Sequence, residues 1–291
     1  MKKRLNLSLL NNHLLDTYVT NNFNKLRLNS LLLPFFLLLL IAFFLYLEDA
    51  FSVDAYIQIQ KDSFLYLNSK LSKFPNLQFN LTQLGDVIIF LPFLTIFIVY
   101  ASKLWESLLT SLVICCVISN LFKKLFSVPR PAAVLDNDSF VIIGKALFGN
   151  TSLPSGHSIA TFTILASILI AFMPKKVPLK IVWGFFILIT GLIIAFTRVG
   201  VGAHYPLDVI IGSALGYISA LTGILINKKF NPWSWIKNKK YYFIFILLFS
   251  IWAIGLIIKI VDTNLVIFYF SLVSLITTLF IITPIYVKKK Y

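Results

Sequence analysis

The amino-acid sequence predicts an all-α protein that crosses a membrane several times. Its 291 residues are 58% hydrophobic, with 28 Phe and a mean hydropathy of +0.88. Long apolar runs with few charges are typical of membrane spans, and a helix satisfies its own backbone hydrogen bonds in lipid. We therefore predict a polytopic helical bundle with about eight spans, at residues 30–47, 87–101, 105–122, 158–173, 181–197, 207–226, 241–260 and 265–287.

The charge distribution favours a membrane orientation over nucleic-acid binding. The formal net charge is +15, which by itself would suit a nucleic-acid partner. If the N-terminus is cytoplasmic, most of the 26 Lys and Arg residues fall in the inner segments, and most acidic residues fall outside. This is the positive-inside pattern, which fixes the orientation. Contact with anionic lipid headgroups then explains the basic balance, and we predict no nucleic-acid partner.

The predicted spans divide the chain into three parts. Residues 1–29 form a basic cytoplasmic arm whose scattered Leu residues suit a helix at the membrane interface. Residues 30–226 carry six spans, and residues 227–291 combine an inner loop with a C-terminal hairpin of two spans. Between the first two spans, the outer segment 48–86 favours an amphipathic helix lying on the membrane.

Ionisable side chains beside these spans form three polar islands. The first contains Lys123, Arg130 and Pro131, the second is residues 154–157, and the third contains Arg198, His204 and Asp208. With the N-terminus inside, all three islands lie at the outer membrane face. Polar residues within or beside spans are costly to bury, so a functional site is the default interpretation.

The cations of the islands suit a phosphoryl group. Lys123, Arg130 and Arg198 could surround its oxygens, because each forked guanidinium group can donate two parallel hydrogen bonds to a pair of phosphate oxygens. The alternative is that these side chains extend to the interface from helix ends, and we prefer that interpretation for Lys124 and Lys145.

The second island lies where a loop enters a span. Ser155 suits the N-cap of that helix, and Gly156 allows a ligand to approach the backbone closely. Free N–H groups at a helix start attract anions, and His157 would face whatever anion is held. The alternative is an ordinary helix cap with an interfacial His.

The third island contains a candidate nucleophile. His204 precedes Pro206, which suits the first position of a helix, and Asp208 follows one helical turn later. A carboxylate that bonds one imidazole nitrogen leaves the other free to attack. The alternative, a structural His–Asp pair at a helix cap, is less compatible with the other two islands.

Taken together, the islands resemble the three-part signature of the type 2 phosphatidic acid phosphatase superfamily. Thr197 stands where that family more often has Ser, and the C-terminal hairpin goes beyond its usual six-helix core. The resemblance implies that residues 30–226 form a six-helix phosphatase core, that no metal or other cofactor is needed, and that the site residues have four roles. His204 would be the nucleophile that forms a phosphohistidine, Asp208 would orient it, His157 would be the general acid and then the base, and the phosphoryl oxygens would be bound by Lys123, Arg130, Ser155, Gly156 and Arg198.

The resemblance implies hydrolysis of a lipid phosphate or diphosphate, of the lipid A, undecaprenyl diphosphate or phosphatidylglycerol phosphate type. The composition favours a bacterial inner membrane, with the site at the periplasmic face. One alternative is a phosphotransferase that passes the phosphoryl group to another lipid, and a second is a non-catalytic lipid-binding scaffold. A channel or transporter would need more polar residues in the middle of the spans than this sequence has.

Overall fold

The computed structural model describes the backbone of residues 2–290 and the side chains of residues 14–288. Over this part of the chain the protein is helical and has no β-strand. The helices are α1 (Lys2–Lys25), α2 (Leu32–Leu47), α3 (Val53–Leu71), α4 (Pro75–Thr82), α5 (Val87–Phe90), α6 (Phe97–Tyr100), α7 (Ser102–Phe126), α8 (Pro131–Val134), α9 (Gly156–Ala171), α10 (Val177–Gly200), α11 (Pro206–Phe230), α12 (Tyr242–Thr263) and α13 (Val266–Lys290). The predicted all-α class is confirmed.

Six of the described helical segments are long and apolar enough to cross a membrane, and a bent pair of helices would make a seventh. The six correspond to the first, third, fifth, sixth, seventh and eighth predicted spans. Large hydrophobic side chains cover their outer surfaces, which suits a lipid environment better than water. Such a set of apolar helices indicates an integral membrane protein.

The second predicted span, residues 87–101, is not a continuous helix. It is divided into α5, a 3₁₀ segment at Leu91–Leu94 and α6. Pro92 lies inside it and has no N–H to continue the helical hydrogen bonds. At the N-terminal end of this segment, the helix pair Pro75–Gly85 and Val87–Leu94 is bent by 90°. The apolar composition predicted the location of this segment, but the proline changes its form.

The fourth predicted span is a short helix at the centre of the bundle. Helix α9 has 16 residues, which corresponds to a length of roughly 24 Å, below the ~30 Å thickness of a hydrocarbon core. Most of its side chains are buried against α7, α10 and α11. Gly212 on α11 permits a close approach of the two helices, because a Cβ there would lie 2.7 Å from the carbonyl oxygen of Ser155.

The basic arm and the outer segment both contain helices. In the arm, the described side chains of Val19 and Phe23 are buried, and Asn22 donates hydrogen bonds to the carbonyls of Ala171 and Met173 at the end of α9. The first 13 side chains of the arm lie outside the described residues. In the outer segment, α3 has the amphipathic character that we predicted, with one face buried and the other exposed.

Candidate active site

The three polar islands meet at one end of the helical bundle. Lys123 lies in the last turn of α7, His157 in the first turn of α9, and Arg198 in the last turn of α10. His204 immediately precedes α11, and Asp208 lies in its first turn. Since neighbouring helices of the bundle alternate in direction, these ends face the same side. The structure therefore brings together the residues that the sequence analysis singled out.

His204 and Asp208 form a buried pair. The distance from His204 Nδ1 to Asp208 Oδ2 is 3.7 Å, and the two side chains are 1% and 0% exposed. Ser152 Oγ lies between them, 3.5 Å from Nδ1, and donates a hydrogen bond of 2.6 Å to Asp208 Oδ2. The backbone N–H of Tyr205 also donates to Oδ2, at 3.0 Å, which fixes the carboxylate relative to the helix start.

The other imidazole nitrogen of His204 faces the cations. Arg130 Nη1 lies 3.4 Å from His204 Nε2. Because a guanidinium group can only donate hydrogen bonds, this contact assigns the Nε2 lone pair as acceptor and the ring proton to Nδ1, on the side of Asp208. The atom left for attack is therefore Nε2.

The surroundings of His204 favour its neutral form. Burial lowers the pKa of His204 well below its ordinary value, and the positive charges of Arg130, Arg198 and Lys123 lower this pKa further. An imidazole in this state keeps its lone pair at neutral pH. The same cations that would hold a phosphoryl group thus also prepare a neutral nucleophile.

Arg198 is a buried cation with free hydrogen-bonding capacity. It is 6% exposed, and its Nη1 donates a 2.8 Å hydrogen bond to Thr82 Oγ1. Its Nε has no hydrogen-bond partner within the described part of the chain. Buried polar groups are rarely left without a partner, so this atom is well placed for an anionic ligand.

A cavity of about 200 Å³ adjoins Arg198 and His157. Thr82, Ala203 and the exposed Lys145 also contribute to its wall. The sequence analysis assigned Lys145 to the interface, but the structure places it where it faces the same cavity as Arg198. This lysine lies in the loop between the first two islands, and its own sequence neighbours gave no signal of its position.

The residues of the second island that we predicted to bind phosphate have structural contacts of their own. Ser155 Oγ caps α9 by accepting a hydrogen bond from the N–H of Ser158, as the sequence predicts. A Cβ on Gly156 would lie 3.2 Å from Lys123 Nζ, so the missing side chain leaves room for this cation. Thr197, in contrast, bonds its hydroxyl to the carbonyl of Ile194 in its own helix, away from the site.

The sequence analysis missed Tyr56, which contacts Asp208 from the outer segment. Its hydroxyl donates a 2.8 Å hydrogen bond to Asp208 Oδ1, and its side chain is 4% exposed. Burial raises the pKa of Tyr56 well above its ordinary value, and the nearby Asp208 carboxylate adds to this shift, so the phenol remains a donor. Gln60 holds α3 in place by accepting from the N–H of Leu207 at 2.9 Å.

We expect Tyr56→Phe to lower kcat of the proposed reaction about tenfold while KM changes little, since a hydrogen bond to a buried charge is worth about 1.5–3 kcal/mol. Removing the hydroxyl leaves Oδ1 of Asp208 without that donor, so the carboxylate orients His204 less well. Steady-state kinetics of both variants measure the effect. The matched control is Tyr66→Phe in the same helix, whose ring is 62% exposed. Equal kinetics for the two variants would contradict the role of Tyr56.

Within the described residues, no group of three or more His, Cys, Asp or Glu side chains is arranged to hold a metal ion. The residues of the three islands contribute three cations, two imidazoles and a single carboxylate to this site. These ionisable groups lie together at one end of a helical membrane bundle.

Comparison with known proteins finds a family that is similar to part of this bundle. Residues 104–232 match the model of the PAP2 superfamily, and they include all three islands. The segment from α7 to α11 is therefore similar to that superfamily. The helices α2 to α6 and the hairpin of α12 and α13 lie outside the matched residues.

Individual relatives cover only part of the chain. A lipid A 1-phosphatase of Rhizobium etli is 33% identical over 130 residues, which are 43% of this chain and 52% of that protein. An undecaprenyl-diphosphatase of Sulfolobus acidocaldarius is 28% identical over 146 residues, covering 49% of this chain and 66% of the relative. The matched region thus spans about half the length of the first relative. The crystal structure of Aquifex aeolicus LpxE is similar over 57% of this chain and 95% of its own, with 22% identity and a TM-score of 0.47.

Proposed function

We propose that the protein is an integral membrane phosphatase that hydrolyses a lipid phosphate or diphosphate. One observation carries this proposal: His204 Nε2 faces Arg130 while its Nδ1 lies against Ser152 and Asp208. In-line attack on phosphorus requires a nucleophile that a carboxylate orients, with cations beside its free nitrogen to bind the phosphoryl group. The names of the relatives support lipid A and undecaprenyl diphosphate as candidate substrates.

In the proposed reaction, His204 Nε2 attacks the terminal phosphorus. The bond that breaks joins this phosphorus to the lipid oxygen in a monophosphate, or to the bridging oxygen in a diphosphate, whose lipid product is the monophosphate. His157 donates a proton to that oxygen, and the lipid product leaves. Water then attacks the phosphohistidine, His157 takes one proton from the water, and inorganic phosphate is released as the P–N bond breaks. Lys123, Arg130 and Arg198 stabilise the charge that develops on the phosphoryl oxygens in both steps.

The orientation of the site rests on the distribution of basic residues. The positive-inside pattern favours a cytoplasmic N-terminus, and the end of the bundle that carries the islands would then face outward. In a bacterial inner membrane this is the periplasmic face. A lipid headgroup could reach the cations there without crossing the hydrocarbon region.

An apolar groove beside the site supports a lipid substrate. Its volume is about 310 Å³, and it lies between α2, the start of α3, the end of α7 and the middle of α11. Tyr56, which bonds Asp208, forms part of its wall, as do Val128 and Leu153, close neighbours in sequence of Arg130 and Ser152. The groove and the phosphate site therefore share the same structural elements, and a hydrocarbon chain in the groove would keep its phosphate near His204.

We expect Ala42→Phe to raise KM for long-chain lipid phosphates by about tenfold, because the new ring would occupy groove volume and remove the burial of about two methylene groups. The same variant should leave KM for a short-chain phosphate unchanged. Ala42 lines the groove on α2, whereas the neighbouring Leu40 does not, so Leu40→Phe is the matched control. Kinetics with a chain-length series measure the effect. A uniform change across the series would show that the groove does not hold the chain.

Phosphate release by the purified chain tests the proposed function. Four substrates should be compared in detergent: lipid A, undecaprenyl diphosphate, phosphatidylglycerol phosphate and phosphatidate. We expect release from at least one, with no loss after treatment with a chelator, and no release by the His204→Ala variant. Labelled substrate with an added lipid acceptor separates hydrolysis from transfer, because a phosphotransferase would label the acceptor. Inhibition by a chelator that a divalent ion reverses would contradict the mechanism, and no release from any substrate would contradict the function.

A further inference from the structure

The C-terminal hairpin of α12 and α13 contacts the broken second span at the points where its backbone hydrogen bonds are interrupted. In a continuous helix the carbonyl of Ile88 would accept from residue 92, but Pro92 has no N–H. The indole Nε1 of Trp252 donates to this carbonyl instead, at 2.9 Å. In a lipid environment an unpaired carbonyl is costly, so this contact stabilises the broken form.

One face of α13 provides further hydroxyl contacts to the same segment. Ser271 and Ser274 donate to the carbonyls of Ile89 and Pro92, at 3.0 and 3.2 Å. The hydroxyls of Thr278 and Thr95 lie 2.8 Å apart, and both side chains are fully buried. Since Ser271, Ser274 and Thr278 follow helical spacing, they form a single polar stripe directed at residues 89–95.

The outer end of the hairpin contacts the segment before the bend. Asn80 Oδ1 accepts from the backbone N–H of Ile267, one of the otherwise unpaired groups in the first turn of α13. Asp86 continues the connection, because its side chain caps α5 at the N–H of Ile88 and its own N–H donates to the carbonyl of Gln83. The hairpin thus holds the bent segment 75–94 on both sides of the bend.

Two residues of this bent segment contact the phosphate site. Thr82 Oγ1 accepts the hydrogen bond from Arg198 Nη1. Gly85 packs directly on His157, since a Cβ at Gly85 would lie 2.6 Å from the Cβ of His157. The arginine and the histidine are therefore positioned from outside the residues that match the family.

We propose that the C-terminal hairpin positions Arg198 and His157 for catalysis by holding the bent segment 75–94 against them. The hydroxyl stripe of α13 holds the backbone of the broken second span. Within the bent segment, Thr82 then positions Arg198, and Gly85 positions His157. The hairpin residues are positioning residues, because none of them lines the cavity at Arg198. The inference rests on the proposed phosphatase function, because turnover is its main readout.

A double-mutant cycle tests this coupling with the full chain in detergent. One variant removes the stripe (Ser271→Ala, Ser274→Ala and Thr278→Val), a second is Thr82→Val, and the third combines them. We expect the first two each to lower kcat/KM roughly fivefold, and their combination to cause no further loss, as for residues in one network. The control variant, Ser250→Ala with Thr277→Val, removes hairpin hydroxyls that bond only within their own helices, and it should match the wild type.

Losses that multiply in the combined variant would overturn the proposal, as would a stripe variant with the kinetics of the control. If the triple stripe variant does not fold, Ser274→Ala replaces it in the same cycle with the same criteria. A shift of the melting temperature by inorganic phosphate provides a second readout of the cycle. If the wild type shows phosphate binding but no turnover, the proposed function fails while this readout still tests the positioning. If it shows neither, both fail together.

Discussion

Replacing His204 with Gln is expected to lower kcat of the proposed reaction by at least about 10⁴-fold, the scale seen when a nucleophile is removed. The amide retains polarity and similar size, so the buried position next to Asp208 remains filled. No other imidazole in the described structure is paired with a carboxylate in this way. The residual rate should reflect only binding and electrostatic stabilisation by the cations.

Trapping the covalent intermediate distinguishes loss of the nucleophile from loss of folding. Brief reaction with a ³²P-labelled substrate, followed by denaturation, should leave label on the wild type that is stable to base and labile to acid, as a phosphohistidine is. The His204→Gln variant should carry no label while retaining the phosphate-dependent rise in melting temperature that Arg130 and Arg198 provide. Label of equal amount on the variant would place the nucleophile elsewhere and contradict the mechanism.

The helical class and the location of the site could be predicted because their signals are local. Apolar runs predicted about eight spans, and six of them are helices long enough to cross a membrane. The pair of His204 and Asp208 could be inferred because both residues belong to one helix start, with a capping proline between them. Ser155 was recognisable as a cap for the same reason. Each of these inferences depends on residues within one continuous segment of the chain.

The contacts that could not be predicted connect distant parts of the chain. Tyr56 meets Asp208 across 152 positions, and Thr82 meets Arg198 across 116. The helical pattern of α3 indicates which face is buried, but it does not identify the helix that covers this face. The interruption of the second predicted span was missed for a different reason, because composition detects apolar segments but not the break in helical hydrogen bonding that Pro92 imposes.

The second large effect concerns His157, whose replacement by Gln is expected to lower kcat for a lipid phosphate about 10²–10⁴-fold, the usual contribution of a general acid. His157 packs against Gly85 and lines the same cavity as Arg198, and the charges of Arg198, Arg130 and Lys123 act on its imidazole. These are the cations that we propose to bind phosphate, so a leaving oxygen held in this cavity would lie near the imidazole. An alkoxide is a poor leaving group and needs this proton.

The effect of His157→Gln should depend on the leaving group if His157 is the general acid, but not if its role is purely structural. For p-nitrophenyl phosphate, whose leaving group is already stable as an anion, His157→Gln should slow formation of the intermediate far less than it does for the lipid. Because the same residue would activate water in the second step, the phosphohistidine should accumulate in this variant and should be detectable by the acid-labile label described for His204. Equal losses with both substrates and no accumulation would mean that His157 only supports the structure, and that the leaving oxygen takes its proton from another group. The neutral state of His204 requires a separate proton donor in either case, since an imidazole that attacks phosphorus through Nε2 and holds its only proton on Nδ1 has none to give.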